Sequence, residues 1–272
     1  MIGFEKWHGC GNDFVLIDAI GHPELKEIEP TISVEMCRRS FGIGADGVLL
    51  VYRNSDRSLG MRMINPDGSV GGMCGNGLRC AMLFAHRHGY AAGSANFETP
   101  TRCVQTEMVG TAVRVDMGRY SVRREDLGMI PGGPDPFIEA SFELGGKTTV
   151  GTAVSMGNPH LIIFRDPDPS LDVEGPIYEN CPLFTDRANV HFATAEGSSR
   201  VSITTWERGA GATLACGSGA CAVAVAGLLT GRTEARVTIA APGGELEIEV
   251  TEPGNVWMTG PATHVFDGFW PK

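Results

Sequence analysis

The sequence predicts an α/β (α+β) protein of two pseudo-symmetric domains derived from an internal duplication, each a curved sheet wrapped around a central buried helix. Three observations carry that expectation. The chain has 272 residues, and at roughly 150 residues per domain that suits two domains or one large one. It resembles itself at one offset: MCGNG (73–77) and ACGSG (215–219) put Cys74 and Cys216 142 residues apart. Each cysteine segment also leads into a helical stretch flanked by β-rich runs.

The register holds on both sides of the cysteines. Asn65 lies nine residues before Cys74 and Glu207 nine before Cys216, while Gly89 and Gly231, Pro100 and Pro242, and Gly118 and Gly260 recur at the same spacing. With a small slip, GNDFVLID (11–18) matches GNPHLIIF (157–164). The domains are therefore expected at 1–118 plus 263–272 and at 119–262, with the final HVFDGFW (264–270) packing back on the first half.

The elements follow in order. MRMI (61–64) and VRVDM (113–117) read as strands of the first copy, VSITTW (201–206) and ELEIEV (245–250) as strands of the second. Between them Leu78–His88 and Ala220–Thr230 read as helices, each closed by a glycine suited to the left-handed conformation beyond a helix end. His86, Arg87 and His88 suit the negative pole of the first. The second, ACAVAVAGLL, is apolar all round and must be enclosed on every side.

Composition excludes several classes. Lys+Arg 22 against Asp+Glu 32 gives a net charge of −10 without a basic run, which argues against nucleic acid or an anionic membrane as partner. Hydrophobic content of 42% and charged content of 20% describe a globular chain. Glycine, at 37 residues, is nearly twice the usual ~7% and has no collagen period, so it serves tight turns and close approaches. The apolar run Ala220–Leu229 is about half a bilayer span, and Glu5 and Asp13 oppose a signal peptide. Eight cysteines without CxxC spacing suggest neither a disulfide scaffold nor a zinc site, and a cytoplasmic protein with mostly reduced thiols is expected.

Cys74 and Cys216 each precede a Gly-X-Gly turn opening a buried helix. Free N–H groups there form an anion site, and the same positive pole is expected to lower a thiol pKa. Inverting an amino-acid α-carbon needs a base on one face and an acid on the other, which two thiols can supply in alternation. Amides aimed at the carboxylate would stabilise the charge that develops. No metal or organic cofactor is called for, and no Rossmann or Walker fingerprint is present. Cys80 and Cys221 read as packed core, and Cys10, Cys37, Cys103 and Cys181 as structural.

HGCGNDF (8–14), GIGADG (42–47), NPDGS…MCGNGLRC (65–80), SMGNPH (155–160), DRANV (186–190), ERGAG…ACGSGAC (207–221) and DGF (267–269) together resemble the diaminopimelate epimerase family. The resemblance implies two pseudo-symmetric α/β domains and a cofactor-independent epimerase, interconverting LL- and meso-diaminopimelate on the route to lysine and peptidoglycan. It implies Cys74 and Cys216 as the acid/base pair, with His160 and Glu207 tuning their pKa. Gly75, Asn76, Gly217 and Ser218 would hold the carboxylate of the reacting centre. Asn12, Asn65, Asn158, Asn189, Glu207 and Arg208 would read the remaining charged groups. A small-molecule amino-acid substrate and a homodimer are implied, the latter with Phe266 at its contact.

Three positions depart from the family pattern: Gly47 where Gln is common, Val70 where an acidic residue is common, and Phe266 where Tyr is common. The rival readings are a related cofactor-independent racemase acting on another amino acid, such as histidine, and a non-catalytic anion-binding protein. CGNG opposes a proline-racemase-like enzyme, whose first cysteine loop usually has His in place of Asn.

Overall fold

In the computed structural model, which describes residues 1–165 and 171–271, the chain divides into two units. One is Met1–Asp116 with Thr259–Lys272, the other Met117–Met258.

Apolar β-branched runs set the strands of the first unit. β1 (Ile2–Gly9) and β2 (Asn12–Ala19) pair antiparallel through Cys10 and Gly11, both at positive φ (54° and 82°). β2 then pairs in parallel with β3 (Gly47–Arg53). A parallel partner needs a crossover, and helix α1 (Pro30–Cys37) lies within it. β4 (Leu59–Ile64) returns antiparallel on β3 and carries the short β5 (Val70–Gly71). Helix α2 (Gly75–Arg87) crosses to β6 (Ser94–Glu98), parallel to β4; β7 (Cys103–Val109) and β8 (Ala112–Arg119) follow as a meander.

The second unit repeats this plan. β9 (Ala140–Leu144) and β10 (Lys147–Ser155) pair antiparallel, as do β10 and β11 (Pro159–Phe164). β11 is parallel to β12 (Asn189–Ala195), with α3 (Leu171–Glu179) in the connection. β13 (Arg200–Glu207) returns and carries β14 (Gly211–Thr213). Helix α4 (Gly217–Leu229) crosses to β15 (Arg236–Ala241), parallel to β13, and β16 (Gly244–Thr251) and β17 (Asn255–Gly260) complete the order. The chain then supplies β18 (Thr263–Trp270), which pairs antiparallel with β1 in the first unit.

Hydrogen-bond register carries the duplication. Val48 faces Ile64 as Val190 faces Trp206, and Leu59 faces Phe97 as Val201 faces Ile239. Ser94 faces Glu107 as Arg236 faces Glu249. Each pair recurs 142 positions on. α2 packs against β1, β2, β3, β4, β6 and β7, and α4 against β10, β11, β12, β15 and β16. Strands thus surround each helix, and in α4 every residue from Gly219 to Gly227 is buried.

Both helices begin at their first glycine, three residues before the expected Leu78 and Ala220. The reason is local: Cys74 and Cys216, extended at φ −125° and −118°, are themselves the N-caps, so Gly-X-Gly forms the first turn. The helices close as expected, with Gly89 and Gly231 at φ 73° and 69°. Of the cysteines without a repeat partner, Cys103 is exposed at the start of β7, whereas Cys10, Cys37 and Cys181 are buried; all eight cysteines are free thiols. Among the described residues no helix is long and apolar enough to cross a membrane.

Candidate active site

In the first unit the cysteine segment is anchored by a charge-to-amide relay. Cys74 is partly exposed, and its Sγ accepts the Gly77 N–H at 3.4 Å. Arg79, one turn on, is fully buried. It donates to Asn76 Oδ1 (2.9 Å), to the Pro261 carbonyl (3.0 Å) and to Cys10 Sγ (3.6 Å). Asn76 Nδ2 then donates to Asn12 Oδ1 (3.1 Å), and Asn12 Nδ2 to Asp46 Oδ2 (2.8 Å). Both ends of the Asn12 amide are therefore engaged within the unit. Asn65 opens the turn 65–69, donating from Nδ2 to Ser69 Oγ at 2.9 Å. Its backbone carbonyl accepts the Gly68 N–H at 2.9 Å, and its side-chain Oδ1 has no hydrogen-bond donor among the described residues.

In the second unit Cys216 is only 6% exposed. The Glu207 carboxylate lies against its thiol, and Ser218 Oγ stands 3.6 Å from Sγ. Burial first, and the Glu207 charge second, push the Cys216 thiol well above its ordinary value, against the smaller pull of Ser218 and the Gly219 amide. This corrects the expectation of a lowered thiol pKa at that position. A helix N-terminus favours thiolate only where desolvation and a like charge do not outweigh it.

Glu207 Oε1 accepts the Thr213 hydroxyl at 2.6 Å. Asn189 accepts the Arg208 N–H (3.1 Å) and donates to the Pro159 carbonyl (2.9 Å), so its amide ties β12 to the segment after β13. Arg208 donates from Nη1 to the Asp186 carbonyl and carboxylate at 2.8 and 2.9 Å. Its Nε and Nη2 have no partner among the described residues. Arg208 and Asn158 line one concavity of about 120 Å³ with Asp186, Arg187 and Leu127. His160 is fully buried between Asn158 Oδ1 (3.0 Å) and His191 Nε2 (2.9 Å). Burial, then His191 and Arg208, hold it well below the usual imidazole range. It therefore rests neutral, with both ring nitrogens occupied.

The structure thus joins Cys74, Gly75, Asn76 and Asn12 in one group, and Cys216, Gly217, Ser218 and Glu207 in another. Asn189 with Arg208, and Asn158 with His160, form two further pairs. Phe266 lies in β18, 45% exposed, its ring edge-on to Phe4. At Gly47 a side chain would meet Met63 Cε at 3.0 Å, and Val70 is exposed.

Three residues escaped the sequence reading. Arg79 was visible as a lone charge within LRCAML. Glu179, nearly buried, accepts from Trp206 Nε1 (2.7 Å), Arg187 (2.7 Å) and the Gly209 N–H (2.9 Å), and so braces the Glu207–Arg208 turn. His191 adjoins His160. No local signal marks the last two.

The fold is one shared by a class of proteins whose solved structures include PhzF-family proteins and a hydroxyproline epimerase. A PhzF-family phenazine biosynthesis protein of Bacillus anthracis superposes with TM-score 0.69 at 14% identity, covering 98% of each chain. A hydroxyproline epimerase of Agrobacterium vitis gives 0.67 at 12% identity, over 98% of this chain and 91% of that one. Within that class the sequence is specific. The diaminopimelate epimerase family model matches residues 4–122 and 152–265, and the chain belongs to that family. The diaminopimelate epimerase of Moorella thermoacetica is 42% identical over 98% of this chain and 99% of its own length. That of Synechococcus elongatus is 41% identical over 97% and 96%.

Proposed function

We propose that this chain epimerises LL-diaminopimelate to meso-diaminopimelate by exchanging the α-proton between Cys74 and Cys216. The observation that carries the reading is the pair of repeat-equivalent helices, each capped by a cysteine whose following glycines form the first turn. In this reading Cys216, kept protonated by burial and Glu207, delivers the proton. Cys74 takes the other from the opposite face. The reading requires both sulfurs to address one carbon.

The first-turn amides at Gly75, Asn76, Gly217 and Ser218 would hold the reacting carboxylate and stabilise charge as the proton leaves. The two open guanidinium nitrogens of Arg208 suit the distal carboxylate, and the unengaged side-chain Oδ1 of Asn65 suits an ammonium group. Asn12 and Asn189, with both amide ends already engaged, would contribute mainly by holding α2 and Arg208 in place. The chemistry asks for no cofactor. The activity lies on the route to lysine and peptidoglycan, and we assign the protein to the cytoplasm as a homodimer built through the β18 surface around Phe266.

The test is α-carbon deuterium incorporation from solvent into LL-diaminopimelate, beside histidine, proline and glutamate. General acid/base groups contribute about 10²–10⁴-fold, so Cys74→Ala and Cys216→Ala should each lose at least about a hundredfold in turnover. Near-normal turnover by either variant, or preferential exchange into a single-ended amino acid, overturns the proposal.

A further inference from the structure

Beneath the first turns of α2 and α4 the repeat installs chemically opposite layers. Phe14 and Gly47 are paired as His160 and Asn189 are, and Leu49 faces Met63 as His191 faces Thr205. The apolar set Phe14, Leu49 and Met63 of one unit is thus replaced in the other by His160, His191 and Thr205. Both histidines are fully buried and Thr205 is 2% exposed.

These groups form one continuous chain ending at Asn158. Thr205 Oγ1 is 3.0 Å from His191 Nδ1, His191 Nε2 is 2.9 Å from His160 Nδ1, and His160 Nε2 is 3.0 Å from Asn158 Oδ1. Burial depresses the pKa of both imidazoles, that of His191 to about 3. Each neutral ring has one donor and one acceptor, so the chain can run in two polarities.

Thr205 decides between them. Among the described residues its hydroxyl has no acceptor other than His191 Nδ1. Run from Thr205 toward Asn158, every donor in the chain finds an acceptor. Run the other way, His191 donates to Thr205 and the buried hydroxyl proton has no partner, the costly case for a buried polar group.

We propose that His191 and Thr205 are positioning residues for substrate binding. By fixing the polarity of the chain they hold the Asn158 carbonyl toward His160, and they leave the Asn158 NH2 as a donor for the concavity shared with Arg208. The substrate carboxylate there meets an amide donor beside the guanidinium, and a free amide flip would present it with an oxygen instead. This inference rests on the reading of Asn158 as a substrate-binding residue.

The test has two arms on the full chain. With ¹⁵N-labelled histidine, NMR should show both His160 and His191 in the Nε2–H tautomer between pH 6 and 8. The opposite tautomer in both overturns the proposal, whatever the activity. In the kinetic arm, His191→Leu, which installs the residue of the other repeat, should raise KM for diaminopimelate about five- to tenfold, the loss of one modest hydrogen bond. Its kcat should change less. His191→Gln, whose amide can still donate to His160 Nδ1, should recover most of the loss.

Thr205→Val, which preserves volume and both rings, should shift KM the same way, and Thr205→Ser should leave it near wild type. This pair decides the matter if His191→Leu folds poorly. Unchanged KM in Thr205→Val and in any folded His191→Leu overturns the proposal. Absence of diaminopimelate turnover in the wild-type protein would instead defeat the functional reading, and the NMR arm would still report the polarity.

Discussion

His160 and His191 give the protein an acid sensitivity that precedes its carboxylates. Their folded pKa values lie below the ordinary imidazole value of 6.5, so between those values the unfolded chain binds more protons than the folded one. Stability therefore falls as pH drops below about 6.5, with a slope approaching about 1.4 kcal/mol per pH unit for each ring. Asp13 and Glu179, whose carboxyls are held below 3.8 and 4.5 by their cationic and hydrogen-bonding partners against the cost of burial, lose stability in the same direction. They do so only nearer those values. Urea midpoints measured between pH 7 and 4.5 should decline steadily; a flat profile to 4.5 would show that the rings titrate normally. Cys216 carries the opposite sign: its raised pKa withdraws stability on the alkaline side, once the unfolded thiol begins to ionise.

The two cysteine-capped helices differ in what lies beneath their first turns. A Cβ at Gly219 would clash with the Cε1 edge of the His191 ring, whereas at Gly77 it would touch Leu49 Cδ2 at 3.0 Å, the end of a side chain that can give. Gly219→Ala should therefore cost about 1–3 kcal/mol by overpacking. Gly77→Ala should cost less, and equal shifts in the two urea midpoints would contradict that difference. The glycine and cysteine landmarks made the repeat legible because turns and caps demand particular residues at particular places. Strand pairing then followed at the same spacing. The helix starts were misplaced by three residues because glycine reads as a breaker, while an N-cap cysteine and enclosure by strands overrode propensity. Arg79, Glu179 and His191 were not legible as site residues. Their importance comes from neighbours distant in sequence: Arg79 bonds Cys10 and Pro261, Glu179 bonds Trp206, and His191 bonds His160.

At the scale of the whole molecule, β18 leaves Val265, Phe266 and Phe269 exposed at 52%, 45% and 74%. Exposed apolar side chains on both faces of one strand, Phe269 on one and Phe266 on the other, suit burial against a second copy. Sedimentation should show a dimer that Phe266→Asp converts to monomer without loss of helical signal; a wild-type monomer at micromolar concentration would contradict the assembly. The same strand also orders events during synthesis. β1 finds one neighbour in β2 within a few residues but waits for the other, β18, until all of the second unit has left the ribosome. The amino-terminal unit is begun first and finished last. For most of translation its opening strand presents a bare edge to the cell, and a nascent chain stalled before residue 263 is the species that chaperones must guard.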